Sequence, residues 1–114
     1  MNYTSLPEDL KKKATTLAGE LVWTASDACE VIERMCKLDL AVVGVEIWVR
    51  EGDNPRVIGW SEYRIDFQGD WKSFIQENAA NALQVLKNPM SEDALVNLTW
   101  LERSELTQKL KRET

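Results

Sequence analysis

The apolar positions of this chain change their spacing several times, and each change marks a new element. In three stretches apolar residues recur every three or four positions, which predicts amphipathic helices. Gly19 is expected to end the first helix, and Asp70 is expected to cap the third through its side-chain oxygen. The expected helices run over residues 6–18, from the cap Ser26 to Lys37 or Leu38, and from Trp71 to Lys87.

Between the second and third helices the spacing becomes two, which predicts β-strands. Every second residue from Val43 to Val49 is aliphatic, so this strand has one buried face. Residues 52–55 form the turn and residues 57–67 the return strand, whose register the pattern does not fix. Alternation over residues 94–101 predicts a third strand, and residues 105–111 are expected to form a short polar helix.

The order of these elements predicts the fold class. A helix, helix, hairpin, helix and strand give an α+β domain, with a small, mostly antiparallel sheet built on the central hairpin and helices packed on it. The 114 residues are expected to form a single domain over residues 1–114. A chain of this length buries a core without disulfides or metals.

Acidic residues are concentrated in the middle of the chain. The net charge is -5, and residues 20–70 carry 11 acidic and 5 basic side chains. One interpretation is that this segment attracts a basic partner. The alternative is that the charge only keeps the protein soluble. Nucleic acid is not an expected partner, because the chain is acidic and its longest run of basic residues is Lys11-Lys12-Lys13.

The residue types present restrict the chemistry. The chain has no histidine, which excludes Ser-His-Asp and Cys-His catalytic groups. Cys29 and Cys36 lie seven residues apart on one predicted helix, which is too far apart for a disulfide. Two cysteines without a histidine are also too few ligands for a zinc site. We therefore expect reduced cysteines, a cytoplasmic location, no metal and no cofactor. No signal peptide or membrane span is predicted.

Two tryptophans and four carboxylates of the hairpin region are the candidate binding residues. Tryptophan is enriched at the energetic centres of protein interfaces. The alternative is that helices cover both faces of the sheet and bury the two tryptophans. Glu46 and Glu62 are also candidates for a catalytic pair. The alternative is that they are two solvated strand residues, or that they form ion pairs with Arg64 and Arg50. The candidate residues are Glu46, Trp48, Asp53, Trp60, Glu62 and Asp66, whereas Trp23 and Trp100 are expected in the core.

The segment from about Glu20 to Lys87 resembles the bacterial toxin-immunity family called immunity protein 40. The resemblance begins with Ser26-Asp27-Ala28-Cys29-Glu30-Val31-Ile32 opening a helix. It continues through Gly44-Val45-Glu46-Ile47-Trp48, the return strand with Trp60 and the helix that starts at Trp71. The resemblance implies a cytoplasmic, non-catalytic protein that neutralises a cognate toxin domain of a contact-dependent or other polymorphic toxin system by tight binding.

Three functions are therefore compared. The first is an immunity protein, a monomer or weak dimer that binds a basic toxin domain, for example a nuclease. The second is another acidic interaction module, such as a phage inhibitor or a secretion adaptor. The third is a small enzyme or ligand-binding domain, which would need an enclosed pocket with converging carboxylates.

Overall fold

The computed structural model describes residues 6–52, 54–62, 69–87 and 93–105. They form an α+β fold, as expected from the order of the elements. The elements in chain order are α1 (Glu8–Lys13), β1 (Thr15–Leu17), β2 (Glu20–Thr24), α2 (Ala25–Lys37), β3 (Ala41–Glu51), β4 (Asn54–Glu62), α3 (Trp71–Leu86) and β5 (Leu95–Leu101).

The strands form one sheet in the order β1-β2-β5-β3-β4. Every neighbouring pair is antiparallel, so β2 and β3, which both pair with β5, run parallel to each other. A connection between parallel strands has to cross over the sheet, and here α2 makes that crossover. In the same way α3 connects β4 to β5 across β3.

The main core lies between the helices and one face of this sheet. Trp23 and Trp100 are each 1% exposed and meet edge to face, with 6.4 Å between their ring centroids, as their apolar neighbours in the sequence predict. The Nε1–H of Trp23 donates a 3.0 Å hydrogen bond to the carbonyl oxygen of Leu10, which ties α1 to the sheet. The strand residues of this core include Val42, Val45, Ile47, Val96 and Leu98.

Helix α2 has the buried stripe that its spacing predicts. Ala28, Val31, Ile32 and Met35 are all fully buried. The expected cap, Ser26, is wrong: the helix is capped two residues earlier by Thr24, whose hydroxyl accepts from the N–H of Asp27 at 3.2 Å.

Two ion pairs connect α2 to α1. Arg34 donates to Asp9 at 2.9 Å, and Lys13 pairs with Glu30. The bond to Arg34 lowers the pKa of Asp9. Both cysteines of α2, Cys29 and Cys36, are free and half-buried.

The expected helix over residues 6–18 is wrong beyond Lys13. Residues 15–24 instead form the β1–β2 hairpin, in which Leu17 pairs with Glu20. The two turn residues, Ala18 and Gly19, have φ values of 52° and 78°. Left-handed conformations at both positions suit a two-residue hairpin turn. Gly19 therefore lies in the turn between two strands, and does not end a helix as expected.

Strand β3 pairs irregularly with each of its two neighbours, once with β5 and once with β4. Val42 pairs with Trp100 and Gly44 with Thr99, so Val43 is an extra residue in β3. It packs with Ala41 and with Trp71 and Ile75 of α3 in a second cluster, at the start of the strand. In β4, Ile58 is the extra residue, because Gly59 faces Ile47 and Val57 faces Trp48.

The third helix and the third predicted strand are confirmed as α3 and β5. Asp70 caps α3 as expected, since its carboxylate accepts from the N–H of Ser73 at 3.1 Å and from its hydroxyl at 2.8 Å. These bonds lower the pKa of Asp70. The rest of the return strand beyond Glu62 and nearly all of the expected helix over residues 105–111 lie outside the described residues.

Candidate functional site

The face of the sheet opposite the main core carries the candidate binding residues, and we call it the open face. Its side chains alternate with core residues such as Val45, Val96 and Leu98. Helix α2 and the C-terminal half of α3 contribute their buried residues to the core on the other face. The open face comprises Val22 on β2, Leu95, Asn97 and Thr99 on β5, Gly44, Glu46 and Trp48 on β3, and Val57, Trp60 and Glu62 on β4.

The strand register brings three of the six predicted site residues together on this face. Trp60 lies directly opposite Glu46, and Glu62 lies opposite Gly44. Glu62 is therefore the diagonal neighbour of Glu46, a relation that separates such residues by about 7–8 Å in antiparallel sheets. Trp60 is a direct neighbour of both glutamates, since it lies opposite Glu46 and two residues before Glu62 on the same strand. Asp53 and Asp66 lie outside the described residues.

Trp60 is the most exposed large hydrophobic residue that the structure describes. Its side chain is 73% exposed, and Val57 and Ile58 on the same strand are also exposed. Strand β4 is an edge strand, paired with β3 on one side. Its Pro55 and its bulge at Ile58 are features that discourage uncontrolled pairing of an edge. The exposed indole therefore stands on an edge that is otherwise protected.

Trp48 lies on the open face but is not an exposed binding residue. Its side chain is only 6% exposed and packs with Leu17, Val22 and Leu95. The β1–β2 hairpin supplies Leu17 and Val22, and this hairpin was not expected from the sequence. Of the two alternatives for the tryptophans, burial holds for Trp48 and exposure for Trp60, so we remove Trp48 from the candidate binding residues.

Glu20 is a further carboxylate on this side of the sheet, and the sequence pattern did not identify it. Asn97 is 4% exposed, and its Nδ2 donates to Glu20 Oε2 at 3.0 Å and to the carbonyl oxygen of Leu21 at 3.1 Å. These bonds hold Glu20 beside β5, in which Asn97 also faces Glu46. The two bonded residues are 77 positions apart, so no local pattern could have indicated the contact.

A shallow cleft of about 350 Å³ lies between Trp60 and the two glutamates. Gly44 lies opposite Thr99, and a Cβ added to it would lie 3.5 Å from the Cβ of Thr99. The missing side chain leaves room above the strand at this point. The cleft is lined by Gly44, Val45, Glu46, Trp60, Ser61, Glu62 and Thr99.

The lining of this cleft contains two carboxylates and no basic residue. The ion pairs within the described part of the chain join other residues, for example Arg56 with Glu51 at 3.1 Å. Glu46 and Glu62 take part in none of them. An exposed indole beside two carboxylates that form no ion pair among the described residues suits a cationic group supplied by another molecule.

The described residues contain neither a metal-binding cluster nor a membrane-spanning helix. Across residues 6–52, 54–62, 69–87 and 93–105, no group of three or more Asp, Glu or Cys side chains is placed to hold a metal ion. Within these ranges, too, no helix is long and apolar enough to cross a membrane. Comparison of the chain with protein-family models, with curated proteins and with solved structures gave no match.

Proposed function

We propose that this protein is an immunity protein that binds and neutralises a cognate bacterial toxin domain through the open face around Trp60. The observation that carries the proposal is the 73% exposed indole of Trp60 on an edge strand, beside Glu46 and Glu62, which take part in none of the ion pairs among the described residues. Solvating a sheet face does not require an indole, whereas interface centres are enriched in tryptophan.

Charge complementarity supports a basic partner. A nuclease toxin has a basic active-site cleft because its substrate is anionic, and an acidic inhibitor fits such a cleft. The chain carries a net charge of -5, and Glu46, Glu62 and Glu20 all lie on the same side of the sheet. Such an arrangement accelerates encounter with a basic domain and selects it over acidic surfaces. The neutralisation takes place in the cytoplasm, where the toxin acts.

The surroundings of Glu46 and Glu62 suit a binding role better than a catalytic one. A catalytic carboxylate pair needs an enclosed site that separates the pKa values of its members. Here Glu62 is exposed and the cleft is shallow and open. The same geometry allows a protein partner to reach both carboxylates and the indole at once, and the partner itself then excludes water.

Co-expression with the toxin domain encoded beside the gene tests this proposal. We expect the wild-type protein to restore growth, and Trp60→Ala and Glu46→Lys to restore it poorly. Glu33→Lys makes the same charge change on an exposed position of α2 and should still protect the cells. Protection by all variants would keep the function and reject the site. Failure of the wild-type protein to protect or to bind would favour an adaptor function.

A further inference from the structure

We propose that the cleft above Gly44 receives one arginine side chain of the partner, stacked on Trp60 and bonded to Glu46 and Glu62. This inference rests on the proposed function and specifies its central contact. The cleft lies on the open face, where strands β3, β4 and β5 are adjacent, and its volume is about 350 Å³. A cleft of this size accepts a side chain.

The indole of Trp60 favours the binding of a positively charged group in this position. An aromatic face attracts a positive group that lies within about 6 Å of its ring centre, and tryptophan does so best. Trp60 is 73% exposed, so its ring is accessible to such a group. Trp71 shows the same contact inside the protein, where the guanidinium of Arg103 lies 6.0 Å from its ring centroid.

The two carboxylates favour arginine over lysine. Glu46 faces Trp60 across the strand pair, and Glu62 is the diagonal neighbour of Glu46. A guanidinium is planar, stacks on an indole and directs five N–H donors along its edges, so one group bonds two separated carboxylates. An ammonium is a compact, strongly hydrated charge with no flat surface to stack. Arginine therefore uses all three groups of the cleft.

Gly44 provides the space that this side chain needs. Any other residue would place a Cβ on the open face between Thr99 and Glu62. The nearest atom to that Cβ would be the Cβ of Thr99 at 3.5 Å, an ordinary van der Waals distance. Gly44→Ala should consequently keep the fold and partly fill the cleft. The effect of the cleft on binding can therefore be measured without a change in stability.

Titration with single amino-acid derivatives, observed by NMR, tests the inference without any toxin. The probes are N-acetyl-arginine amide, its lysine analogue and its neutral citrulline analogue, which has nearly the shape of arginine. We expect saturable shifts of the Trp60 indole N–H and of the Glu46 and Glu62 amides with arginine. The dissociation constant should be on the order of 10 mM, as expected for exposed cation–π and ion-pair contacts. Lysine should bind more weakly, and citrulline should give no saturable shift.

Two glycine variants provide the matched comparison. Gly44→Ala should weaken arginine binding about fivefold or more, because the guanidinium loses its place above the strand. Gly59→Ala adds the same methyl group, but toward the core face, where its Cβ would lie 3.9 Å from Ile47 Cγ1. It should leave arginine binding unchanged. Amide spectra of both variants that match the wild type away from the substituted residues would establish that each is folded.

The possible results separate the inference from the proposed function. Equal shifts with arginine and citrulline, no saturable shift, or unchanged binding in Gly44→Ala would overturn the arginine site. Toxin neutralisation could still be observed in that case and would leave the immunity function intact. Conversely, selective arginine binding by a protein that neutralises no toxin would retain the cleft as a guanidinium site and reject the function.

Discussion

The two faces of the sheet come from the same strands and have opposite characters. The helix-covered face is apolar, and its Trp23 and Trp100 are each 1% exposed. The open face carries Asn97, Glu46 and Glu62, and its Trp60 is 73% exposed. Alternation of side chains along each strand creates this difference. The core face accounts for stability, so the exposed indole on the other face calls for a different explanation, which we assign to binding.

The open face is itself divided into two parts. Toward β1, the β1–β2 hairpin supplies Leu17 and Val22, which cover Trp48 and reduce its exposure to 6%. Toward β4, the described residues leave Trp60 uncovered beside Gly44. The two tryptophans of one hairpin thus differ in exposure, because apolar side chains of the described residues cover Trp48 and leave Trp60 uncovered. The predictions below test this contrast, from the largest expected change to the smallest.

Replacing one tryptophan on each face should give the largest contrast in stability. Trp23→Ala removes a fully buried ring and its hydrogen bond to Leu10, and should lower the free energy of unfolding by about 3–5 kcal/mol. Trp60→Ala should change it by no more than about 0.5 kcal/mol, because the side chain is mostly solvated. Urea unfolding of the two variants measures both values. Similar losses in both would contradict the division of the two faces.

Trp48 should contribute to stability although it lies on the open face. Trp48→Ala should lower the free energy of unfolding by about 2–4 kcal/mol, because the ring packs against Leu17 and Val22. A double-mutant cycle with Leu17→Ala should give a coupling of about 0.5 kcal/mol or more. The same cycle with Leu10→Ala should be additive, since Leu10 lies in the main core. Additivity in both cycles would mean that the β1–β2 hairpin does not cover Trp48.

The buried amide of Asn97 should have a smaller effect. Asn97→Ala removes the bonds to Glu20 and to the carbonyl oxygen of Leu21, and should destabilise the protein by about 1 kcal/mol. Thr99→Ala, on the same face of the same strand, should be close to neutral because Thr99 is exposed. Urea unfolding of both variants measures the difference, and equal values would show that the amide contributes nothing beyond its volume.

Acidification should produce the smallest of these changes, and it acts through groups away from the open face. The pKa of Asp9 is lowered by Arg34, and that of Asp70 by the cap bonds to Ser73. A carboxyl group with a lower pKa in the folded state stabilises the protein above its unfolded pKa of about 4, and this contribution is lost as the pH falls through the folded pKa.

Unfolding measured between pH 6 and pH 2 should therefore show a loss of stability below about pH 4. Asp70→Asn keeps a capping oxygen and removes the ionisable group, so it should flatten this pH dependence slightly. Asp9→Asn should do the same by removing the ionisable partner of Arg34. A pH dependence unchanged in both variants would show that other carboxyl groups are responsible.

The parts of the fold with strong periodicity were predictable from the sequence. The four buried residues of α2 and the Asp70 cap of α3 follow from local spacing and local hydrogen bonding. The β1–β2 hairpin was not predictable in this way. Leu10, Ala14 and Leu17 have helical spacing, although Leu17 lies in a strand. That strand has only three residues and is defined by its pairing with β2, which local periodicity does not represent.

The candidate site was predictable only in part for the same reason. The hairpin pattern identified Glu46, Trp60 and Glu62, and the register that groups them depends on the bulge at Ile58. The burial of Trp48 depends on the hairpin that was missed. The contact between Glu20 and Asn97 joins residues that are 77 positions apart in the sequence. Alternation therefore indicates which residues face the same way, and long-range pairing decides which of them remain exposed.

The affinity for the co-encoded toxin domain, measured by calorimetry for matched charge reversals, tests the role of the open face most directly. Glu46→Lys and Glu33→Lys change the net charge equally, one beside Trp60 and the other on α2. We expect Glu46→Lys to raise the dissociation constant about 100-fold or more, and Glu33→Lys to change it less than about threefold. Equal changes in the two variants would contradict the assignment of the open face as the binding surface.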